Sequence, residues 1–173
     1  MFVLGIDPGL SRCGYGCVSR DAEGDRRFRA VAAGVITTPS SEMLGRRLAG
    51  LRNDLAALID ELCPDVVAVE RIFFRTNART AMSVAQASGV ALLTATERGC
   101  VVVEYTAAEV KLAVAGYGNA TKQQVQAMVT RLAGLGEVPQ PPDVADALGL
   151  AICHLSSAPF ERARLAAGAG GIR

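Results

Sequence analysis

The chain has 173 residues and a mass of 18.0 kDa, which suits one domain that buries its own core without disulfide or metal staples. Hydrophobic residues make up 50% and charged residues 20%, a composition that excludes long disorder. With 18 Lys and Arg against 17 Asp and Glu, the net charge is +1, so a nucleic-acid binder built on overall positive charge is excluded while a local basic patch is not.

In chain order, Phe2–Asp7 reads as a buried strand ending in an acid, and Asp7-Pro8-Gly9 is turn chemistry. No basic residue precedes this apolar run, so no signal peptide is expected. Cys13–Ser19 and Phe28–Ile36 alternate loosely around the polar run Asp21–Arg27, which predicts a three-stranded antiparallel meander. Leu44, Leu48, Leu51, Leu55, Leu58 and Leu62 recur at steps of three or four and predict a helix near Ser41–Leu62, capped by Ser40 or Ser41 and stopped at Pro64.

Val66–Glu70 is a short apolar strand that again ends in an acid. Asn77–Arg98 predicts a helix with apolar and small residues all round, hence covered on more than one side. Within it, Ala81–Thr96 lacks ionisable side chains but is only 16 residues long, too short for a membrane span. Val101–Tyr105 predicts a strand, and Ala107–Ala115, Thr121–Leu135 and Val144–Leu155 predict helices, with a flexible loop at Gly116–Asn119. The fold expected is α/β, with three antiparallel strands, then parallel strands, and helices on both faces of one mixed sheet. Residues 1–157 form the expected domain, and 158–173 a flexible tail rich in Gly, Ala and Arg.

Five cysteines with no CxxC spacing and a single histidine, His154, argue against a structural zinc site. They suit a reducing compartment, so a cytoplasmic protein is expected.

Four carboxylates stand out by position. Asp7 and Glu70 end strands, and Asp143 and Asp146 open the last helix at i, i+3, on one face. Acids at strand ends commonly line the ligand crevice of an α/β sheet. Converging acids repel unless cations neutralise them, and oxygen-only ligands suit Mg²⁺ or Mn²⁺. Two such ions clamp the attacking and leaving oxygens of a phosphoryl displacement. Plainer roles remain open: Asp7 as a turn former, Asp143 as a helix cap, Glu70 as a solvated strand end.

A different reading takes Gly5–Gly9 with Gly14-Tyr15-Gly16 as a phosphate-binding hairpin of the actin-like and sugar-kinase type, although 173 residues leave no room for the second domain such proteins need. A non-catalytic nucleic-acid-binding module is a further alternative.

Four segments in series carry a resemblance: LGIDPGLSRCGYG at Leu4–Gly16, VAVERIFF at Val67–Phe74, AAEVKLAVAGYGNATKQQV at Ala107–Val125 and DVADALGLAICH at Asp143–His154. Together they resemble the RuvC-type Holliday-junction resolvases, in order and spacing over roughly residues 2–157. The resemblance implies a ribonuclease-H-like fold and a homodimeric endonuclease that nicks four-way junction DNA at symmetric points. It implies Asp7, Glu70, Asp143 and Asp146 as catalytic, metal-binding acids for two Mg²⁺, with Mn²⁺ able to substitute. It implies Lys111 and Lys122 near the DNA backbone, Phe73 against bases at the crossover, and a branch-migration motor complex of the RuvA–RuvB type as partner.

Charge by segment agrees. Residues 1–70 are net −2, residues 71–122 net +3 and residues 123–173 neutral, so the excess falls where phosphates are expected. His154 is expected to complement a helix C-terminus rather than act as a base. For a dimer seam the expected element is the Asn77–Arg98 helix, through Met82, Ala85, Ser88, Gly89 and Leu92.

Overall fold

The computed structural model describes residues 1–20, 28–72 and 78–168, with side chains described throughout except at 78–80 and 158–168. Five strands and five helices are found there: β1 (Phe2–Asp7), β2 (Arg12–Arg20), β3 (Phe28–Thr37), α1 (Leu44–Leu62), β4 (Val66–Glu70), α2 (Ala78–Glu97), β5 (Val101–Tyr105), α3 (Ala107–Ala115), α4 (Lys122–Leu132) and α5 (Pro142–Gly168). They form one mixed sheet in the order β3-β2-β1-β4-β5. The β1–β2 and β2–β3 pairs are antiparallel, while β1–β4 and β4–β5 are parallel. This is the α/β sandwich that the pattern predicts. Phe73 and Asn77 lie outside the described residues.

Strand alternation sorts the core into two layers. Leu4 and Ile6 of β1 and Val67 and Val69 of β4 point to one face, where they meet Leu51, Leu55 and Ile59 of α1 and Ala87, Ala91 and Ala95 of α2. Val3, Val66, Ala68 and Tyr105 point to the other, where α3, α4 and α5 cover them. The α1 stripe is centred one residue round from the predicted one. Ile59 is buried, Leu62 only partly so, and Leu44 lies at the exposed end of the helix. No serine caps α1; its N-cap is Met43, without a side-chain cap. Ser40 and Ser41 instead occupy the turn before it, closed by Glu42 N–H donating to the Pro39 carbonyl at 3.2 Å.

The last helix departs most from expectation. It opens at Pro142, whose missing N–H costs nothing in a first turn, and it runs past Leu155 to Gly168. Pro159 cannot donate to the Leu155 carbonyl. The Arg20 guanidinium supplies that hydrogen bond instead, at 3.1 Å, and sits over the Phe28 ring. His154 is therefore mid-helix rather than terminal. It is buried, and its Nδ1 shares a 2.8 Å hydrogen bond with the Tyr105 hydroxyl.

Helix α5 crosses β1 and β2 at very short range. A Cβ on Gly5 would lie 1.9 Å from the Ala147 carbonyl oxygen, one on Gly14 2.3 Å from that of Asp143, and one on Gly16 2.7 Å from Leu148 Cγ. Gly5 and Gly16 are cross-strand partners, and Gly14 lies two residues further along the same face. Gly14 and Gly16 are thus covered by a helix, which excludes the phosphate-hairpin reading of Gly14-Tyr15-Gly16.

Two substitutions test this seating by thermal or denaturant unfolding. Gly5→Ala must push α5 off the sheet and should lose about 3 kcal/mol. Gly50→Ala, inside α1 with nothing within 4 Å of the added methyl, should gain about 0.5–1 kcal/mol from helix propensity. Equal effects at the two positions would contradict the close approach.

Candidate active site

The site is built at the edge of the sheet where β1 and β4 end. Their register pairs Ile6 with Val69, which places Asp7 beside Glu70. Both acids follow Gly5 and Ala68 by two residues, so both project to the face that α5 covers. Asp7 pairs with Gly14, and Gly14 lies beneath Asp143. The first turn of α5 is thereby set over the end of β1, with Asp146 one turn further on. A cavity of about 450 Å³ gathers Asp7, Glu70, Asp143 and Asp146 with Lys111 and Lys122, against an apolar wall of Ala107, Val110, Val125 and Leu150.

Both lysines reach the cavity through well-formed helix starts. Thr106 caps α3 and Thr121 caps α4, each in a reciprocal capping box, with Glu109 and Gln124 respectively. Lys122 follows its cap directly and donates to Asp146 Oδ2 at 2.6 Å. Lys111 lies one turn into α3.

The carboxylates are crowded. Burial, then the charges of Glu70, Asp146 and Asp143, raise the Asp7 pKa to about 7, and Asp7 and Glu70 share a hydrogen bond. Burial first, and then Asp146, push Glu70 upward too, against the lowering effects of the Asp7 hydrogen bond and of Lys122. Burial works against the Lys122 ammonium, but the Asp146 hydrogen bond and the neighbouring carboxylates outweigh it and raise its pKa.

Asp143 Oδ2 is buried and accepts no hydrogen bond. A buried carboxylate oxygen without a donor suits a metal ion, and the donor set is all oxygen, as Mg²⁺ prefers. Among the described residues, however, no three His, Cys, Asp or Glu side chains are drawn together to grip one ion. Two of the four acids lean instead toward cations of the chain, Asp146 on Lys122 and Asp143 on Arg12, whose Nε lies 3.5 Å from Asp143 Oδ2.

Sequence reasoning misses Arg12, because it falls in the net-negative first segment. Only the pairing of β2 with β1 brings it to the acids. Conversely, Arg98, counted with the basic excess of residues 71–122, binds Asp60 of α1 at 3.0 Å and the Ala56 carbonyl at 3.2 Å. His154 does not line the cavity. No helix among the described residues is long and apolar enough to cross a membrane.

The mixed sheet, with acids at two strand ends and at the start of the helix laid across them, is the ribonuclease-H-like architecture of junction resolvases. The family model described as crossover junction endodeoxyribonuclease RuvC matches residues 3–154. A relative of that name from Leifsonia xyli subsp. xyli is 54% identical over 152 residues, covering 88% of this chain and 72% of its own. Another from Moorella thermoacetica is 49% identical, covering 94% of this chain and 95% of its own. The solved structure of Thermus thermophilus RuvC superposes with a TM-score of 0.86 at 35% identity, covering 93% of this chain and 97% of that one. T. thermophilus RuvC in complex with a Holliday junction substrate gives 0.83 at 32% identity, covering 92% and 96%. This chain belongs to the RuvC family of crossover junction endodeoxyribonucleases.

The crowding has a pH signature. A carboxyl raised to about 7 in the folded state binds a proton that the unfolded chain releases near pH 4, so the folded state loses stability as pH rises through that window. Asp7→Asn removes this penalty. In metal-free buffer at pH 8 it should raise the unfolding midpoint by at least about 3 °C, and near pH 4 the difference should vanish. Equal midpoints at pH 8 would refute the crowding.

Proposed function

We propose that this chain is a structure-selective DNA endonuclease that resolves four-way junctions by paired symmetric nicks, leaving 5′-phosphate and 3′-hydroxyl ends. The observation that carries this reading is the convergence of Asp7, Glu70, Asp143 and Asp146 with Lys111 and Lys122 in one cavity, in a chain of the RuvC family. The relatives named above are crossover junction endodeoxyribonucleases, and the T. thermophilus protein was solved on a Holliday junction substrate.

In this reading the four acids hold Mg²⁺, with Mn²⁺ as a substitute. Bound divalent ions supply an activated water and neutralise charge at the scissile phosphate. The chain's own residues do the rest. Lys111 and Lys122 take backbone phosphates, which position the strand without reading its sequence. The apolar wall of Val110, Val125 and Leu150 limits water around the acids, so each charge there acts more strongly. Phe73 stacks on a base at the crossover.

Paired nicks require two sites related by a two-fold axis, which a homodimer supplies. Helix α2 is the proposed seam, with a revised set of residues. Ser88 is buried, and Leu92 packs partly into the core between α1 and the sheet, so neither is available. The outward stripe is Met82, Gly89 and Leu93, with Met82 63% and Leu93 57% exposed and Ala85 half-buried. A RuvA–RuvB-type motor and a cytoplasmic setting complete the proposal.

Two measurements test it. On a synthetic four-way junction with Mg²⁺, beside a linear duplex, the wild type should nick only the junction. Asp7→Asn should lose at least about 100-fold of that cleavage, more than outer-shell changes around a metal cause, while binding the junction as before. Full cleavage by this variant would reject the acid site. Leu93→Glu places a charge on an exposed position and should leave the fold intact. Under sedimentation it should be monomeric where the wild type is dimeric, and it should lose paired nicking. A dimeric Leu93→Glu would move the seam off α2.

A further inference from the structure

We propose that Arg12 is a phosphate-binding residue parked on Asp143, so that a strand crossing the acid cavity is gripped from the β2 side as well as by the lysines of α3 and α4. This rests on the nuclease reading of the same site. Arg12 begins β2 and lies two residues from Gly14, the partner of Asp7, on the face that carries α5. It thus stands at the rim of the acid cluster beyond the end of β1, whereas Lys111 and Lys122 belong to α3 and α4. The charged flank expected from residues 71–122 thereby gains a counterpart in a segment whose net charge is negative.

The contact that Arg12 makes is a loose one. Its Nε is 3.5 Å from Asp143 Oδ2, that oxygen accepts no hydrogen bond, and the arginine side chain is 59% exposed. Among the described residues the guanidinium forms no hydrogen bond, so its donors are uncommitted. The guanidinium end of this pair is exposed and makes no hydrogen bond to Asp143, so leaving that carboxylate for another anion costs the arginine little. A guanidinium presents a planar fork that matches two oxygens of a phosphodiester, which a side-on carboxylate contact through Nε does not use. Cations bound by the four acids would also compete for Asp143 and turn Arg12 outward.

The segment that presents Arg12 is braced rather than loose. Thr38 N–H donates to the Ser11 carbonyl at 3.3 Å, and the Thr38 hydroxyl donates to the Leu10 carbonyl. Arg47 of α1 reaches across to Thr38 Oγ1 at 3.0 Å and Ser11 Oγ at 2.8 Å. Gly9 lies so close to the Arg12 carbonyl that a Cβ there would come within 2.2 Å of it. A backbone tied to β3, α1 and its own turn holds a long side chain at a defined place, as a positioning contact needs.

The test uses Asp7→Asn as the parent, so that the junction is bound and not cut, in Mg²⁺ over a salt series. Adding Arg12→Gln should weaken junction binding and reduce the slope of log affinity against log salt by about 0.9 per site, or about 1.8 for a dimer on one junction. Arg12→Lys should restore most of the slope, since it keeps the charge and loses only the fork. A residue that merely braces Asp143 would shift the unfolding midpoint and leave the slope alone. An unchanged slope in Arg12→Gln, with a parent that prefers junction to duplex, overturns this inference and spares the nuclease reading. A parent without that preference overturns both.

Discussion

Helix α5 can lie on the sheet only because three positions beneath it carry no Cβ. Gly5, Gly14 and Gly16 form a bare patch on β1 and β2, filled by the backbone of Asp143 and Ala147 and by Leu148, side chain and backbone together. A helix axis normally stands off a sheet by the thickness of side chains. Here, over Gly5 and Gly14, the approach is limited by backbone atoms. The acids at the start of α5 are brought down to the ends of β1 and β4, and the cavity between them stays small. The arrangement of Asp7, Glu70, Asp143 and Asp146 therefore follows from a packing rule one layer below it.

That packing holds like charges together against their repulsion. The raised pKa values of Asp7 and Glu70 record the cost, and Lys122 offsets part of it at Glu70. Functional sites are commonly unfavourable in isolation, with the stability found elsewhere in the fold. Here it is found in the two apolar layers, where Leu4, Ile6, Val67 and Val69 on one side and Leu148, Leu150 and Ile152 on the other are fully or almost fully buried. The Tyr105–His154 hydrogen bond adds a polar tie between β5 and α5, from the strand residue that pairs with Glu70.

Much of this is legible in the chain. Acids closing apolar strands at Asp7 and Glu70, and the i, i+3 pair Asp143 and Asp146 opening a helix, mark positions at the rim of a core whatever the fold. Strand alternation and the leucine period set the element order, because both reflect local geometry. The helix starts expected at Ala107 and Thr121 follow the same local logic, and the structure finds Thr106 capping the helix that carries Lys111 one turn in and Thr121 capping the one that Lys122 opens.

What only the tertiary structure decided depends on contacts between distant segments. Gly14 and Gly16 look like loop chemistry until α5 is laid over them. Ser88 looks like part of an outward stripe until α2 is rotated onto the sheet, and Leu93 then takes the exposed place. The last helix reads as ending at Leu155 until Arg20, 135 positions away in the sequence, is seen to supply the donor that the Leu155 carbonyl lacks. Arg12 belongs to a net-negative stretch until antiparallel pairing sets it beside Asp143. A one-dimensional pattern carries periodicity and termini; which side chain meets which across a sheet is settled by register and helix rotation, and neither has a local signal.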